Sequence, residues 1–223
     1  MTDCADREKG FVSSETAANS NGMWHTTSAL RRAQLHDLLD NHFPIDQLEM
    51  LHAAQARSRV REGGHPTDRS LFISGHATAS AFVTDESMNS VLLIFHRKLC
   101  KWIQPGGHIE STDETISSAA LRELEEETGL TAVLAEPRFF DIDIHMIPER
   151  RGEPAHHHFD FRFHIIVTDC GFVRPASEVK ETQWATLQDL TFNGRLRTEV
   201  DSGIERMARK ILQFRSGASH FTA

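Results

Sequence analysis

Hydrophobic and polar positions recur along this chain with two periods, which separate predicted helices from predicted strands. Leucines from Leu30 to Leu39 recur at near-helical spacing after Ser28, a residue that can cap a helix. A second helix is predicted at 45–61, before a Gly-Gly-His-Pro break, with an apolar side formed by Leu48, Leu51 and Ala54. The two segments together predict an N-terminal helical hairpin.

Extended segments follow in the rest of the chain. Short apolar or alternating runs predict strands at 77–83, 91–95, 132–144, 159–167 and 178–184, and a closing helix at 197–214. In one of these strands the aromatic residues Phe159, Phe161 and Phe163 alternate with Asp160, Arg162 and His164. The polar face of that strand either lines a cleft or faces solvent at a sheet edge.

The order of these elements predicts an α/β (α+β) fold, in which a mixed β-sheet is sandwiched between helices and carries the N-terminal hairpin. We expect a disordered tail at 1–24, a helical extension at 25–66, the main domain at 67–216 and a C-terminal tail at 217–223. The polar composition of the first 24 residues is the reason for predicting disorder there. Whether Met23 is the true translation start is left open.

Composition narrows the class of protein. The 223 residues carry a net charge of -8, which argues against general nucleic-acid binding because phosphate backbones attract basic surfaces. Three widely spaced cysteines match neither a zinc motif nor a disulfide framework, so a reducing cytoplasm is the expected location. No segment has the length of a transmembrane helix or the pattern of a signal peptide, and we expect no membrane association.

An acidic helix near the middle of the chain is the strongest chemical feature. At about 100° per residue, Glu123 and Glu127 share a sector with apolar positions, Glu126 borders that sector and Glu125 points away. Converging carboxylates of low water access repel one another unless a cation neutralises them. A hard divalent ion such as Mg²⁺ or Mn²⁺ fits oxygen ligands of this kind. The alternative is a solvated charged face.

A basic loop precedes the acidic helix. It contains Arg97, Lys98 and Lys101 next to Trp102. These side chains either meet an anionic ligand that carries an aromatic base or are ordinary loop residues around one buried tryptophan. Both interpretations stay open.

Residues 107–130 resemble the signature of the Nudix hydrolase family, G-x5-E-x7-R-E-U-x-E-E-x-G-U, where U is a bulky aliphatic residue. The second half, RELEEETGL, matches without a mismatch. The first half contains one extra residue: counting forward from Gly107 reaches Asp113, and counting back from Arg122 reaches Glu114. The accessory carboxylate is therefore either of these two, and Glu114 also has the spacing from Ser111 that is typical of a capping box.

The resemblance covers about residues 75–189. The segments RKLCKWIQPGGHIE, DIDIHMIP and EPAHHHFDFRF are similar to those of a group of bacterial Nudix proteins with an N-terminal helical extension. For the site, the resemblance implies Mg²⁺ bound by glutamates and by a backbone carbonyl, an arginine that orients the carboxylates, and a glycine that ends the helix. In this sequence these residues are Glu123, Glu126 and Glu127, the carbonyl of Gly107, Arg122 and Gly129, with Glu114 as a further catalytic candidate.

The resemblance further implies hydrolysis of a diphosphate linkage in a nucleoside diphosphate joined to another group, such as a nucleotide sugar, a dinucleotide or a nucleoside triphosphate. Glu126, Glu127, Asp160, Glu178 and Glu181 are candidates for the proton acceptor. Substrate contacts are expected from Arg97, Lys98, Trp102, His108, His158 and Arg162, and a transition-metal site built from histidines is a weaker alternative. The competing function is a nucleotide-sensing Nudix module without catalysis. A homodimer is left open as the assembly.

Overall fold

The computed structural model describes residues 15–97, 99–131, 133–150, 152–168, 170, 179–191, 194–196 and 199–216, with only the backbone given for 15–27 and 180. The predicted C-terminal tail, the first fourteen residues of the predicted N-terminal tail, Lys98 and Glu178 lie outside the described residues. Within the described ranges, no helix combines the length and the apolar character needed to span a membrane.

Two helices precede the main domain, as predicted, but the first begins earlier than expected. Helix α1 spans Glu15–Asp40, so residues 15–24 of the predicted disordered tail are helical and Ser28 lies inside the helix instead of capping it. Helix α2 spans Gln47–Arg61, and the Asp46 side chain caps it by accepting a hydrogen bond from the backbone N–H of Glu49. The hairpin prediction is therefore confirmed with a corrected start.

The predicted apolar side of α2 is wrong. Leu48 and Leu51 are 48% and 53% exposed, whereas Glu49 and His52 are buried together with small residues such as Ala53. The prediction that the leucines face inward rested on helical spacing alone. The polar residues are inside because the main domain supplies charged partners for them, and such partners offset the cost of burying a charge.

Seven described strands form one mixed sheet, and this agrees with the predicted fold class. Their order is β3-β2-β1-β6-β5, with β4 paired to β1 and β7 paired to β2. The β1–β6 pair is parallel, and the other pairs are antiparallel. The strands are β1 His76–Asp85, β2 Ser90–His96, β3 Lys101–Ile103, β4 Gly106–His108, β5 Arg138–Ile147, β6 His156–Val167 and β7 Val179–Thr186.

Helices cover both faces of this sheet. Helix α3, Ile116–Thr128, packs with α1 and α2 on a core that contains the alanines of β1 and the three phenylalanines of β6. Helices α4, Leu187–Leu190, and α5, Ser202–Arg215, close a second core around Phe82, Leu93 and Trp102. The predicted sandwich is confirmed, and the closing helix begins later than the expected 197.

The polar face of β6 is neither a cleft wall nor a solvent-facing edge, since β6 is paired on both sides and Gly203 of α5 packs directly on the guanidinium of Arg162. Arg162, 1% exposed, donates to Asp160 at 2.8 Å and to Asp143 at 3.1 Å. Arg206 of α5 forms a bidentate pair with Asp141 at 2.8 and 2.6 Å. These buried groups pair cations with carboxylates, which is the condition under which charges persist in an interior.

The same network fixes the helical extension. Lys210 of α5 contacts the carboxylate of Glu49 in α2 and lies 3.0 Å from Asp141 in β5. Burial by itself would raise the pKa of Asp143. The charge of Arg162 and the hydrogen bond from His145 outweigh burial, so the pKa of Asp143 lies well below its usual range. The hairpin is therefore attached to the main domain through paired interior charges as well as through apolar packing.

Candidate active site

Local sequence chemistry sets both ends of the acidic helix α3. At its start, Thr115 and Ser118 form a reciprocal capping box, so the capping box expected from Ser111 and Glu114 is not the one that the structure contains. At its end, Gly129 has φ 75° and caps the helix in the left-handed conformation, as the resemblance implied. The helix is thus held in register beside the loop that carries the two glycines at 106 and 107.

Arg122 joins the carboxylates of this region. Its Nε and Nη2 donate to the two oxygens of Asp113 at 3.0 and 3.1 Å, and Nη1 donates to Glu123 at 2.9 Å and to Glu126 at 3.1 Å. Nη2 also donates to the carbonyl of His108 at 2.8 Å, which attaches the glycine loop to the helix. The hydrogen bond to Asp113 raises the pKa of Arg122 against the opposing effect of burial. Arg122 is therefore a charged organiser with a fixed orientation.

Glu123 lies against the backbone of Gly107. A Cβ added to Gly107 would lie 2.5 Å from Oε1 of Glu123 and 2.8 Å from its Oε2, so only glycine allows this approach. Glu127 accepts a hydrogen bond from the backbone N–H of Gly106 at 3.0 Å, while Glu126 is 58% exposed at the mouth of the site. Two glutamates of this helix thus border the glycine loop, and Glu126 joins them through its hydrogen bond from Arg122.

The electrostatics of this group fit a hard divalent cation. Burial raises the pKa of Glu123, and the neighbouring charges of Glu126 and Asp113 act in the same direction, while Arg122 opposes them. The single guanidinium group of Arg122 thus donates hydrogen bonds to three carboxylates. Further positive charge would stabilise the ionised glutamates, and carboxylate and carbonyl oxygens are the ligands that Mg²⁺ and Mn²⁺ prefer.

The two candidates for the accessory carboxylate occupy different environments. Asp113 is 7% exposed, and besides Arg122 it accepts from the backbone N–H of Glu110 at 2.8 Å. The side chain of Glu114 is exposed, and its backbone carbonyl accepts from Gln34 of α1 at 3.1 Å. Arg31 of α1, which the sequence did not single out, donates to the Asp113 carbonyl. The helical extension therefore braces the loop that holds Asp113.

The predicted aromatic contact is beside a cavity of about 350 Å³. Trp102, 8% exposed, meets Phe95 edge-on at 5.3 Å, and both line the cavity. Its other lining residues are Glu181, Gln183, Arg195, Leu196 and Glu199. Arg97, in contrast, is exposed in the loop after β2 and is not among the lining residues.

The remaining predicted substrate residues do not form one surface. Arg162 is buried in the charge network, and so we leave it out of the substrate site. His108 and His158 lie together, with ring centroids 5.1 Å apart, and His76 lies beside both of them. His76 was missed because it belongs to no motif and reaches the cluster only through the pairing of β1 with β6.

A family model matches the part of the chain that forms the mixed sheet, the glycine loop and the acidic helix. The NUDIX domain model matches residues 75–209, which is more than half of the chain. The protein therefore belongs to the Nudix hydrolase family.

Curated relatives match a shorter region. Phosphatase NudJ of Escherichia coli strain K12 and that of Shigella flexneri are each 42% identical over 65 residues, which is 29% of this chain and 35% of the relative. The chain thus spans about a third of the length of these relatives.

The solved structures that match this chain are more distant in sequence. An Ap4A hydrolase of C. elegans in a binary complex has 18% identity and a TM-score of 0.49, covering 63% of this chain and 98% of that one. The NUDIX domain of Shewanella oneidensis NrtR, complexed with ADP ribose, has 19% identity and a TM-score of 0.48, covering 68% and 94%.

Proposed function

We propose that this protein is a Mg²⁺-dependent pyrophosphohydrolase, with Mn²⁺ as an alternative ion, that cleaves a diphosphate linkage in a nucleoside diphosphate joined to another group. A nucleotide sugar, a dinucleotide and a nucleoside triphosphate are the substrate classes that we propose. The observation that carries the proposal is the arrangement of Arg122 with Glu123 and Glu126, next to a glycine backbone that has room for a carboxylate.

The residues that would hold the ion are Glu123, Glu126 and Glu127, with the carbonyl of Gly107. When bound there, Mg²⁺ supplies a Lewis acid that neutralises phosphate oxygens and lowers the pKa of a water molecule. Arg122 keeps the carboxylates oriented, and Asp113 keeps Arg122 oriented. A carboxylate of α3 accepts the proton of the attacking water. Asp160 is not proposed for that step, because it is 2% exposed and bonded to Arg162.

The nucleoside part of the substrate has a candidate site in the cavity beside Trp102. Its volume of about 350 Å³ falls in the range of small-molecule pockets. Phe95 and Trp102 offer aromatic surface for a base, whereas the charged residues that line the cavity are mixed, with Arg195 beside Glu181 and Glu199. The name of the NudJ relatives, phosphatase, is compatible with a phosphorylated substrate.

The test is hydrolysis of a broad nucleotide panel in the presence of Mg²⁺ or Mn²⁺. The wild-type protein should release nucleoside phosphates from at least one class. A Glu126→Gln, Glu127→Gln double variant should lose about 10²–10⁴-fold in kcat, since it removes two carboxylates of the site. Glu125→Gln is the matched control, because Glu125 is an exposed neighbour on the outer side of the same helix. Equal turnover by the double variant and the control would contradict the proposal.

The nucleotide-sensing alternative predicts a different outcome of the same panel. A sensing module would bind a nucleotide, measured by calorimetry, without turnover by any variant.

A further inference from the structure

A group of histidines lies at one end of the sheet, outside the glutamate site. His76 begins β1, and the parallel register places it directly beside His158 of β6. His108 ends β4, opposite Thr78 of β1. One ring nitrogen from each of the three histidines lies within 4.8 Å of the other two. Three strands that are far apart in sequence therefore bring three imidazoles to one point.

The ring nitrogens of His76 are buried in an environment where a bound ion would satisfy them. Its side chain is 0% exposed, and among the described residues neither ring nitrogen has a hydrogen-bond partner of ordinary geometry. Burial and the charges of His108 and His156 lower the pKa of His76 and outweigh the Leu71 backbone, which acts in the opposite direction. Buried polar groups without partners are rare in folded proteins. The rings nearest to His76 are those of His108, His156 and His158, with centroids 5.2, 5.1 and 4.7 Å away.

We propose that His76, His108 and His158 bind a divalent transition-metal ion of the zinc class at a site separate from the glutamates. Imidazole nitrogen is a preferred ligand of Zn²⁺, Fe²⁺ and Ni²⁺, whereas Mg²⁺ prefers oxygen. Three histidines with an open position are also the ligand set of a known class of zinc site.

The separation from the glutamates follows from strand geometry. Gly107 and His108 are successive residues of β4, so their side-chain directions point to opposite faces of the sheet. On one face the Cβ position of Gly107 meets the carboxylate of Glu123, and on the other the ring of His108 stacks on His76. An ion bound by the histidines therefore does not share ligands with an ion bound by the glutamates.

The distances are compatible with metal binding after small ring movements. Zn–N bonds of about 2.0–2.1 Å in a tetrahedral site place two ligand nitrogens about 3.3 Å apart, so nitrogens within 4.8 Å must approach by about 1.5 Å or less. Nε2 of His156 already lies 3.2 Å from Nε2 of His158. Nδ1 of His156 lies 2.7 Å from the Pro154 carbonyl, which can only accept, so in the neutral ring Nε2 is unprotonated. His156 is thus placed to be a fourth ligand.

The experiment uses the full chain without a histidine tag. Protein stripped with a chelator is titrated with Zn²⁺ against a chromogenic competitor, and one tightly bound zinc ion per chain is expected. His158→Gln should weaken zinc binding by more than the roughly 10–100-fold typical of losing an outer-shell partner. His157→Gln is the matched control, since His157 is the exposed neighbour in the same strand and should bind zinc like the wild type.

Two further measurements separate this site from others. The Glu126→Gln, Glu127→Gln double variant should keep its zinc, because those residues belong to the other site. X-ray absorption fine structure of the zinc-loaded wild type should show at least three imidazole ligands, and this readout does not depend on whether His158→Gln folds. Absence of stoichiometric zinc, oxygen-only ligation, or equal affinity of His158→Gln and His157→Gln would overturn the proposal.

Discussion

Replacement of Lys210 with methionine tests how the helical extension is held on the main domain. Nζ of Lys210 contacts the Glu49 carboxylate, lies 3.0 Å from Asp141 and donates to the Phe140 carbonyl at 2.6 Å. The side chains of Lys210 and Glu49 are only 1% and 0% exposed. Methionine has a similar length and no charge, so the variant leaves Glu49 buried without its cation.

The expected cost follows from this burial. Removing one partner of a buried ion pair typically lowers the free energy of unfolding by about 3–5 kcal/mol, because the other charge stays desolvated. The bonds that remain to Glu49, from His42 at 2.8 Å and from the Ile45 backbone at 2.9 Å, place the loss toward the lower end of that range. Urea denaturation measures the loss as a lower midpoint with an unchanged slope.

The neighbouring residue provides a matched control. Arg209 lies 3.7 Å from Asp46, also in the α2 region, but the two side chains are 38% and 31% exposed. Arg209→Met should therefore cost only about 0–1 kcal/mol. Adding Glu49→Gln to Lys210→Met removes the orphaned charge, so the double variant should be about 0.5–3 kcal/mol more stable than the sum of the single effects. Equal losses for Lys210→Met and Arg209→Met, together with additive effects in the double variant, would refute this reasoning.

Three other predictions concern the site and the pH response. In Gly107→Ala the new Cβ would lie 2.5 Å from Oε1 of Glu123, so the carboxylate must move by about 1 Å. We expect this displacement to lower kcat about 100-fold on the nucleotide that the wild type hydrolyses fastest. An unchanged kcat would contradict this prediction. Asp113→Asn weakens the ion pair with Arg122 and should lower kcat about 10–100-fold, which is a larger loss than Glu114→Gln causes. A larger loss of kcat in Glu114→Gln would instead identify Glu114 as the accessory carboxylate. Burial lowers the pKa of His164 from 6.5 to about 4. Between these two pH values the unfolded chain takes up a proton that the folded chain does not. The free energy of unfolding therefore falls as the pH falls from about 6.5 to about 4. His164→Gln should lose up to about 1.4 kcal/mol less per pH unit there, measured by urea denaturation at stepped pH, and parallel profiles of the two proteins would be the contrary result.

Features that depend on neighbours in the chain were predictable. The family resemblance implied the glycine that ends α3. The angular placement of the glutamates follows from local geometry: Glu125 is exposed while Glu123 and Glu127 are partly buried, as the helical period predicts. Strands β1 and β2 were also predictable, because each contains a short apolar run, at 77–83 and 91–95.

Features that depend on distant partners were mispredicted or missed. The inward side of α2 was assigned to leucines, but Glu49 and His52 are inside because α5 and β5 carry their partners Lys210 and Asp143. In β6 the polar face of the strand was expected at a cleft or at an edge, and instead it is covered by α5. Periodicity identifies which residues share a face, but it does not identify what covers that face.

The sequence by itself determined the acidic helix and its glycine loop, because the residues that build them lie within about two dozen positions and their relative placement is set by backbone geometry. Only the tertiary structure decided that Asp113 contacts Arg122 in preference to Glu114, and that His76 joins His108 and His158. One extra residue in a turn changes which carboxylate faces inward, and the parallel register of β1 and β6 depends on packing between segments about eighty residues apart. Such contacts are fixed by the energy of the assembled core, which no local pattern records.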